Sequence, residues 1–137
     1  MKTAMDILRF ALGGFAGLVV ISLIAEGIEF SLVTLVHREV TMDEQVYFGI
    51  RNQPWFLLLK FIYNGIALFV GGWLAARIVS RWKRACVLSL ALVQTAAFIW
   101  GMTLSEYAGT MPVWAWILLA IEIPPAILLG GWKGSRI

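Results

Sequence analysis

The sequence is poor in charge. Asp, Glu, Lys and Arg supply 14% of its 137 residues, against about a quarter in a soluble domain. Hydrophobic residues supply 61%, and the mean hydropathy is +0.85. A water-soluble fold of this length has too few polar side chains to cover that much apolar surface, so the bilayer must be the solvent. A single cysteine, Cys86, excludes an internal disulfide. No other ligands cluster around it, so a structural zinc site is not expected. The only histidine, His37, stands near Glu39, Asp43 and Glu44 at a spacing that fits no metal site. The chain also lacks a P-loop, a Rossmann fingerprint and a nucleophile–base pair, so neither enzyme activity nor a cofactor is expected. No basic patch is interleaved with aromatics, which argues against nucleic acid as a partner.

Long apolar runs are what the chain does have. A spanning helix needs about 20 mostly apolar residues, and four segments qualify. They cover about residues 7–36, 55–78, 85–104 and 113–132. The expected fold is all-α: one domain over residues 1–137, an antiparallel bundle of four transmembrane helices. The N-terminal Lys2 and Arg9 before an apolar run resemble a signal sequence. The run outlasts an h-region and has no A-x-A-like site, so it reads as an uncleaved first span.

Basic residues orient the bundle. Lys2 and Arg9 precede span one; Arg77, Arg81, Lys83 and Arg84 separate spans two and three; Lys133 and Arg136 follow span four. The other two connections hold Arg38 and Arg51 against Glu39, Asp43 and Glu44, and Glu106 alone. The positive-inside rule then puts both termini in the cytoplasm. In the first outer connection, Thr41-Met42-Asp43-Glu44 fits a capping box, with Thr41 as N-cap. It predicts a short interfacial helix from about Met42 to Arg51, burying Val46, Tyr47 and Ile50 on one face.

Two segments echo each other. GGWLAARI (71–78) and GGWKGSRI (130–137) end spans two and four. A duplicated helical hairpin accounts for this, and so does convergence on glycine for packing and tryptophan and arginine for the interface. Gly13 with Gly17, Gly71 with Ala75, and Gly130 with Gly134 have the small-xxx-small spacing that brings helices close. Gly72 and Gly131 extend these faces. The helices so joined belong to the same chain, to a second copy or to partner membrane helices. Tryptophans mark the ends: Trp55, Trp114 and Trp116 at one, Trp73, Trp82 and Trp132 at the other, with Trp100 deeper and packed.

The polar residues inside the spans carry the functional question. Glu26 and Glu29 are three apart on span one, hence on one helical face, at the level of Lys60 on span two. Asn64, Gln94 and Glu122 form a second layer near the midplane. A charge there costs about 2.5–3.5 kcal/mol or more. Lys60 can compensate Glu26 or Glu29. Glu122 has no cation at its depth, which leaves Asn64, Gln94 and backbone as partners. Pro124 and Pro125 remove donors from the carbonyls of Ala120 and Ile121. Unwound backbone beside Glu122 would make a site for a proton, a cation or an amine; a static kink is the plainer outcome.

The stretches GLVVISLIAEGIEF (17–30), LFVGGWLAARI (68–78) and PVWAWILLAIEIPPAILLGG (112–131) resemble a loose group of small, uncharacterised bacterial four-span membrane proteins. The resemblance covers most of the chain and implies a bacterial inner-membrane protein, with no known activity attached. Two functions are expected as alternatives. One is a transporter or channel-like protein, acting as a homo-oligomer and binding a proton, cation or small cationic solute at Glu122, Glu26 or Glu29. The other is a non-transporting scaffold or accessory subunit whose GG-W ends dock other helices.

Overall fold

A computed structural model describes residues 2–105 and 108–135. Glu106 and Arg136, which entered the orientation argument, lie outside the described residues. The described residues form five α-helices: α1 (Lys2–His37), α2 (Glu44–Arg51), α3 (Pro54–Ile78), α4 (Lys83–Thr103) and α5 (Val113–Ser135). A 3₁₀ turn, Ala108–Thr110, precedes α5, and no strand is present among the described residues. Four of the helices are long and apolar enough to cross a membrane.

The ends of the helices follow local chemistry. Pro54 opens α3 at a position that needs no N–H. Arg38 (φ 69°) and Trp82 (φ 61°) take left-handed backbone, one just after α1 and one just before α4. The first helix has 36 residues, about 54 Å of rise against a hydrocarbon core of about 30 Å. Its last turns therefore have length to spare, and α2 packs beside them. The cap of α2 differs from expectation. Asp43, not Thr41, is the N-cap, and its carboxylate accepts from the Gln45 N–H at 3.0 Å. Thr41 instead accepts from the Asp43 N–H at 3.2 Å. The two side chains take different donors, and an acidic side chain is favoured at the positive end of a helix.

Nor does α5 unwind at its prolines: it is helical through Pro124 and Pro125. Proline φ is already helical, and Ile123 and Ile127, which flank the pair, are buried in the core and hold the helix on its course. Along α5, Gly130 meets the Phe69 carbonyl, Gly134 the Trp73 backbone and Gly131 the Val87 side chain. From α3, Gly72 meets the Ile127 backbone and Gly71 meets Gly17 and Ile21 of α1. Gly13 of α1 lies against Ala75 and Val79. The small-residue faces thus join helices of one chain, and α3 is the helix on which α1 and α5 converge. Only glycine lets backbone touch backbone in the α3–α5 seam, where a Cβ would overlap a carbonyl.

Around the seam lies the main core, including Ala75, Ala76, Val79, Cys86 and Ile127. At this end Asp6 of α1 accepts from Ser80 at 3.1 Å and lies 4.0 Å from Arg81. With Arg77, Lys83, Arg84 and Lys133 nearby in the chain, it is the basic end of the bundle. At the opposite end Val33, Phe56 and Tyr63 are buried under Tyr47 and Ile50 of α2. Two tryptophans differ in burial. Trp116 is buried because its indole N–H donates to the Ala108 carbonyl at 3.0 Å and its ring meets Phe98 edge-on. Trp100 is 58% exposed rather than packed.

Candidate functional site

The polar residues of the α2 end assemble around Glu29. This carboxylate is 4% exposed, on the face of α1 turned to α3. Its Oε1 accepts from Lys60 Nζ at 2.7 Å and from the Tyr63 hydroxyl at 3.4 Å. Its Oε2 accepts from the Tyr47 hydroxyl at 3.0 Å. Lys60 and Tyr63 are three apart on α3, one helical face, and the ammonium also sits 5.7 Å from the Tyr63 ring centre. Tyr47 arrives from α2, which the Asp43 cap and the Ile50 contact hold in place. Two hydroxyls and an ammonium thus satisfy a carboxylate that would otherwise be costly to bury.

Arg51, the last residue of α2, closes this end. It stacks 4.3 Å over Phe48 and donates to the Thr110 carbonyl and to Asn52. Asn52 donates to the same carbonyl at 2.7 Å. Both bonds tie α2 to the turn before α5. Burial pulls the Arg51 guanidinium below its ordinary range, against the opposing pull of Glu29 and Glu26. Burial also raises the Tyr47 hydroxyl well above a free phenol, and the Glu29 carboxylate beside it adds to the rise. Tyr47 is therefore a protonated donor throughout the physiological range.

Two cavities meet at this cluster. The larger, about 530 Å³, is lined by Glu26, Glu29, Arg51, Lys60 and Trp100 among others. The smaller, about 130 Å³, reaches the middle of the bundle, where Ser22, Asn64 and Gln94 join Glu26 and Lys60. Glu26, Lys60 and Phe98 are common to both linings. Glu26 takes no part in the hydrogen bonds that fix Glu29, and it is exposed. Two acids, Glu26 and Glu29, stand against two cations, Lys60 and Arg51. Beyond the smaller cavity, buried Ile21, Leu68 and Ile123 lead into the apolar core of the basic end.

The structure brings Glu26, Glu29, Lys60, Asn64 and Gln94 together, and leaves Glu122 apart. Leu119 and Ile123 are the α5 residues that line the inner cavity. Glu122 stands about 100° around the helix from Ile123. Its carboxyl lies against Gly65 of α3, in space that a Cβ there would need. Its buried Oε1 has no hydrogen-bond partner among the described residues. The expected partners, Asn64 and Gln94, are thus engaged with the cavity, not with Glu122. Sequence reasoning did not single out Tyr63 or Arg51, and treated Tyr47 only as packing. The available signal was the three-residue spacing of Lys60 and Tyr63, since a lysine inside a span needs partners on its own face. Comparison of the chain with protein-family models, curated proteins and solved structures returns no match.

Proposed function

We propose that this is a small transport protein of a bacterial inner membrane. It is an antiparallel four-span bundle with both termini in the cytoplasm, and it takes a proton, a cation or a small cationic solute from the α2 end. The observation that carries this reading is the pair of cavities meeting at Glu26 and Lys60. In this mechanism Glu29 and Glu26 divide the work. Glu29, held by Lys60, Tyr47 and Tyr63, fixes the site and keeps the ammonium in place. Glu26 is the exchangeable carboxylate. A cation or proton entering the larger cavity pairs with Glu26, which neutralises a charge the low-dielectric span disfavours. Asn64 and Gln94 supply neutral donors and acceptors for the next step inward. Glu122 stands off this path. The seam of glycines between α3 and α5 is where the closed basic end would have to part.

The test is flux into vesicles containing the purified chain, read with a pH dye and with methylammonium uptake. Glu26→Gln is expected to reduce flux at least about tenfold, as the loss of one charge-assisted contact allows, while Glu122→Gln leaves it within twofold. Undiminished flux in Glu26→Gln would remove that residue from the mechanism. One observation favours the second reading, an accessory subunit. Ile66 and Ile121, next in sequence to Gly65 and Glu122, are exposed, and they offer an apolar face on which a partner helix or second copy could dock. Disulfide trapping through Ile121→Cys in a Cys86→Ala background, with no flux in the wild type, would favour that alternative.

A further inference from the structure

A third cavity lies at the basic end, between the start of α4 and the end of α5, and plays no part in the proposed transport path. Its volume is about 380 Å³. Lys83, Arg84, Val87 and Leu88 line it from α4, and Leu128 and Trp132 from α5. Gly131, with no side chain, lets Val87 approach the α5 backbone and holds the two helices close beneath the cavity.

Charge at this end is unbalanced. The basic residues include Arg9, Arg77, Arg81, Lys83, Arg84 and Lys133, and Asp6 is the acid among them. Asp6 is already engaged by Ser80 and Arg81. Among the described residues, Lys83 and Arg84 have no ion-pair partner. The first turn of α4 carries no acid to offset them. The cavity lining therefore combines two uncompensated cations with apolar side chains. Leu88 and Leu128, both in its lining, are 50% and 39% exposed, so the apolar lining continues onto the outer face of the bundle. A free phosphate would use only the cations. An amphiphile with an anionic head and acyl chains would use both, and Trp132 marks the level where heads and chains meet.

We propose that this cavity binds one anionic phospholipid. Its phosphate would sit between Lys83 and Arg84, with the first methylenes of its chains against Val87, Leu88 and Leu128. The test is native mass spectrometry of the full chain released from micelles holding equal phosphatidylglycerol and phosphatidylcholine. The wild type is expected to retain one phosphatidylglycerol in preference to phosphatidylcholine. The double variant Lys83→Gln/Arg84→Gln should lose that preference by about tenfold, in line with the attraction of two juxtamembrane cations. Arg9→Gln, which removes charge from the same end outside the cavity, should change it less than twofold. Leu128→Trp, which fills the apolar part and keeps the charge, should cut retention as well. Circular dichroism on each variant confirms that the helices are intact. Equal retention of both lipids by the wild type would overturn the proposal. So would an equal loss in Arg9→Gln, which would mean diffuse attraction. Retention unaffected by Leu128→Trp but displaced by inorganic phosphate would mean a phosphate site with no lipid specificity.

Discussion

At the scale of single residues, the bundle invests most in one carboxylate. Glu29 and Lys60 form a pair with side chains 5% and 11% exposed. Removing one member of such a pair leaves the other charge stranded, at a cost of about 3–5 kcal/mol. Lys60→Met should destabilise by that amount in denaturant titrations of the micellar protein. Adding Glu29→Gln should recover most of the loss, because no bare charge then remains. An uncorrected double variant would show that the pair is not the stabilising unit. Tyr47 gives a separate test through pH. Its folded-state hydroxyl is raised, so the folded protein holds a proton that the unfolded chain releases. That contribution is complete below the ordinary tyrosine value of 10.0 and is lost as pH rises beyond it. Stability should therefore fall above about pH 10, and Tyr47→Phe should flatten the fall. The ion pair was half legible in the sequence, since a mid-span lysine at the depth of two acids must find one of them. Which acid it finds depends on helix rotation. The direction of Glu122 stayed open for the same reason: its depth could be counted, but its rotation around α5 could not.

At the scale of elements, hydropathy located all four spans to within about a turn, except at the start of α1. There the helix begins at Lys2 rather than near Ile7, because polar residues continue a helix beyond the bilayer at little cost. The capping box misled by two residues because Thr41 and Asp43 each accept from the backbone N–H two residues on, and pattern alone does not say at which of them the helix begins. The glycine spacing was the most informative signal. Gly130 faces a backbone carbonyl of α3, whereas Gly14 faces open space. Gly130→Val should therefore force α3 and α5 apart, costing about 3 kcal/mol or more in the same titration. Gly14→Val, which meets nothing within the chain, should cost less than about 1 kcal/mol. Similar losses at both positions would mean that Gly14 packs against something outside this chain. The echo between the two GG-W segments acquires a physical meaning here. Gly72 and Gly130 each press against the backbone of the other helix, so the two similar ends form one seam.

On the scale of the whole molecule, polarity is distributed unevenly along the bundle. Acids, tyrosines and both polar cavities gather at the α2 end. The basic end is sealed by Ala75, Ala76, Val79 and Cys86, all at 1% exposure or less. Water and small ions should therefore reach the middle of the bundle from one side only. The buried Cys86 is the sole native thiol, so Cys86→Ala gives a clean background. Asn64→Cys and Gln94→Cys should then react with a small charged methanethiosulfonate added at the face where Thr41→Cys reacts. Ala75→Cys should stay unreactive from either face. Ser135→Cys should react from the other face, the cytoplasmic one in the proposed orientation. Were Asn64→Cys reached only from the Ser135 side, the access route would run through the glycine seam, and Glu26 would be an exit rather than an entrance. Were it reached from neither side, the inner cavity would be dry. Glu26 and Lys60 would then hold the helices in register without passing anything between them.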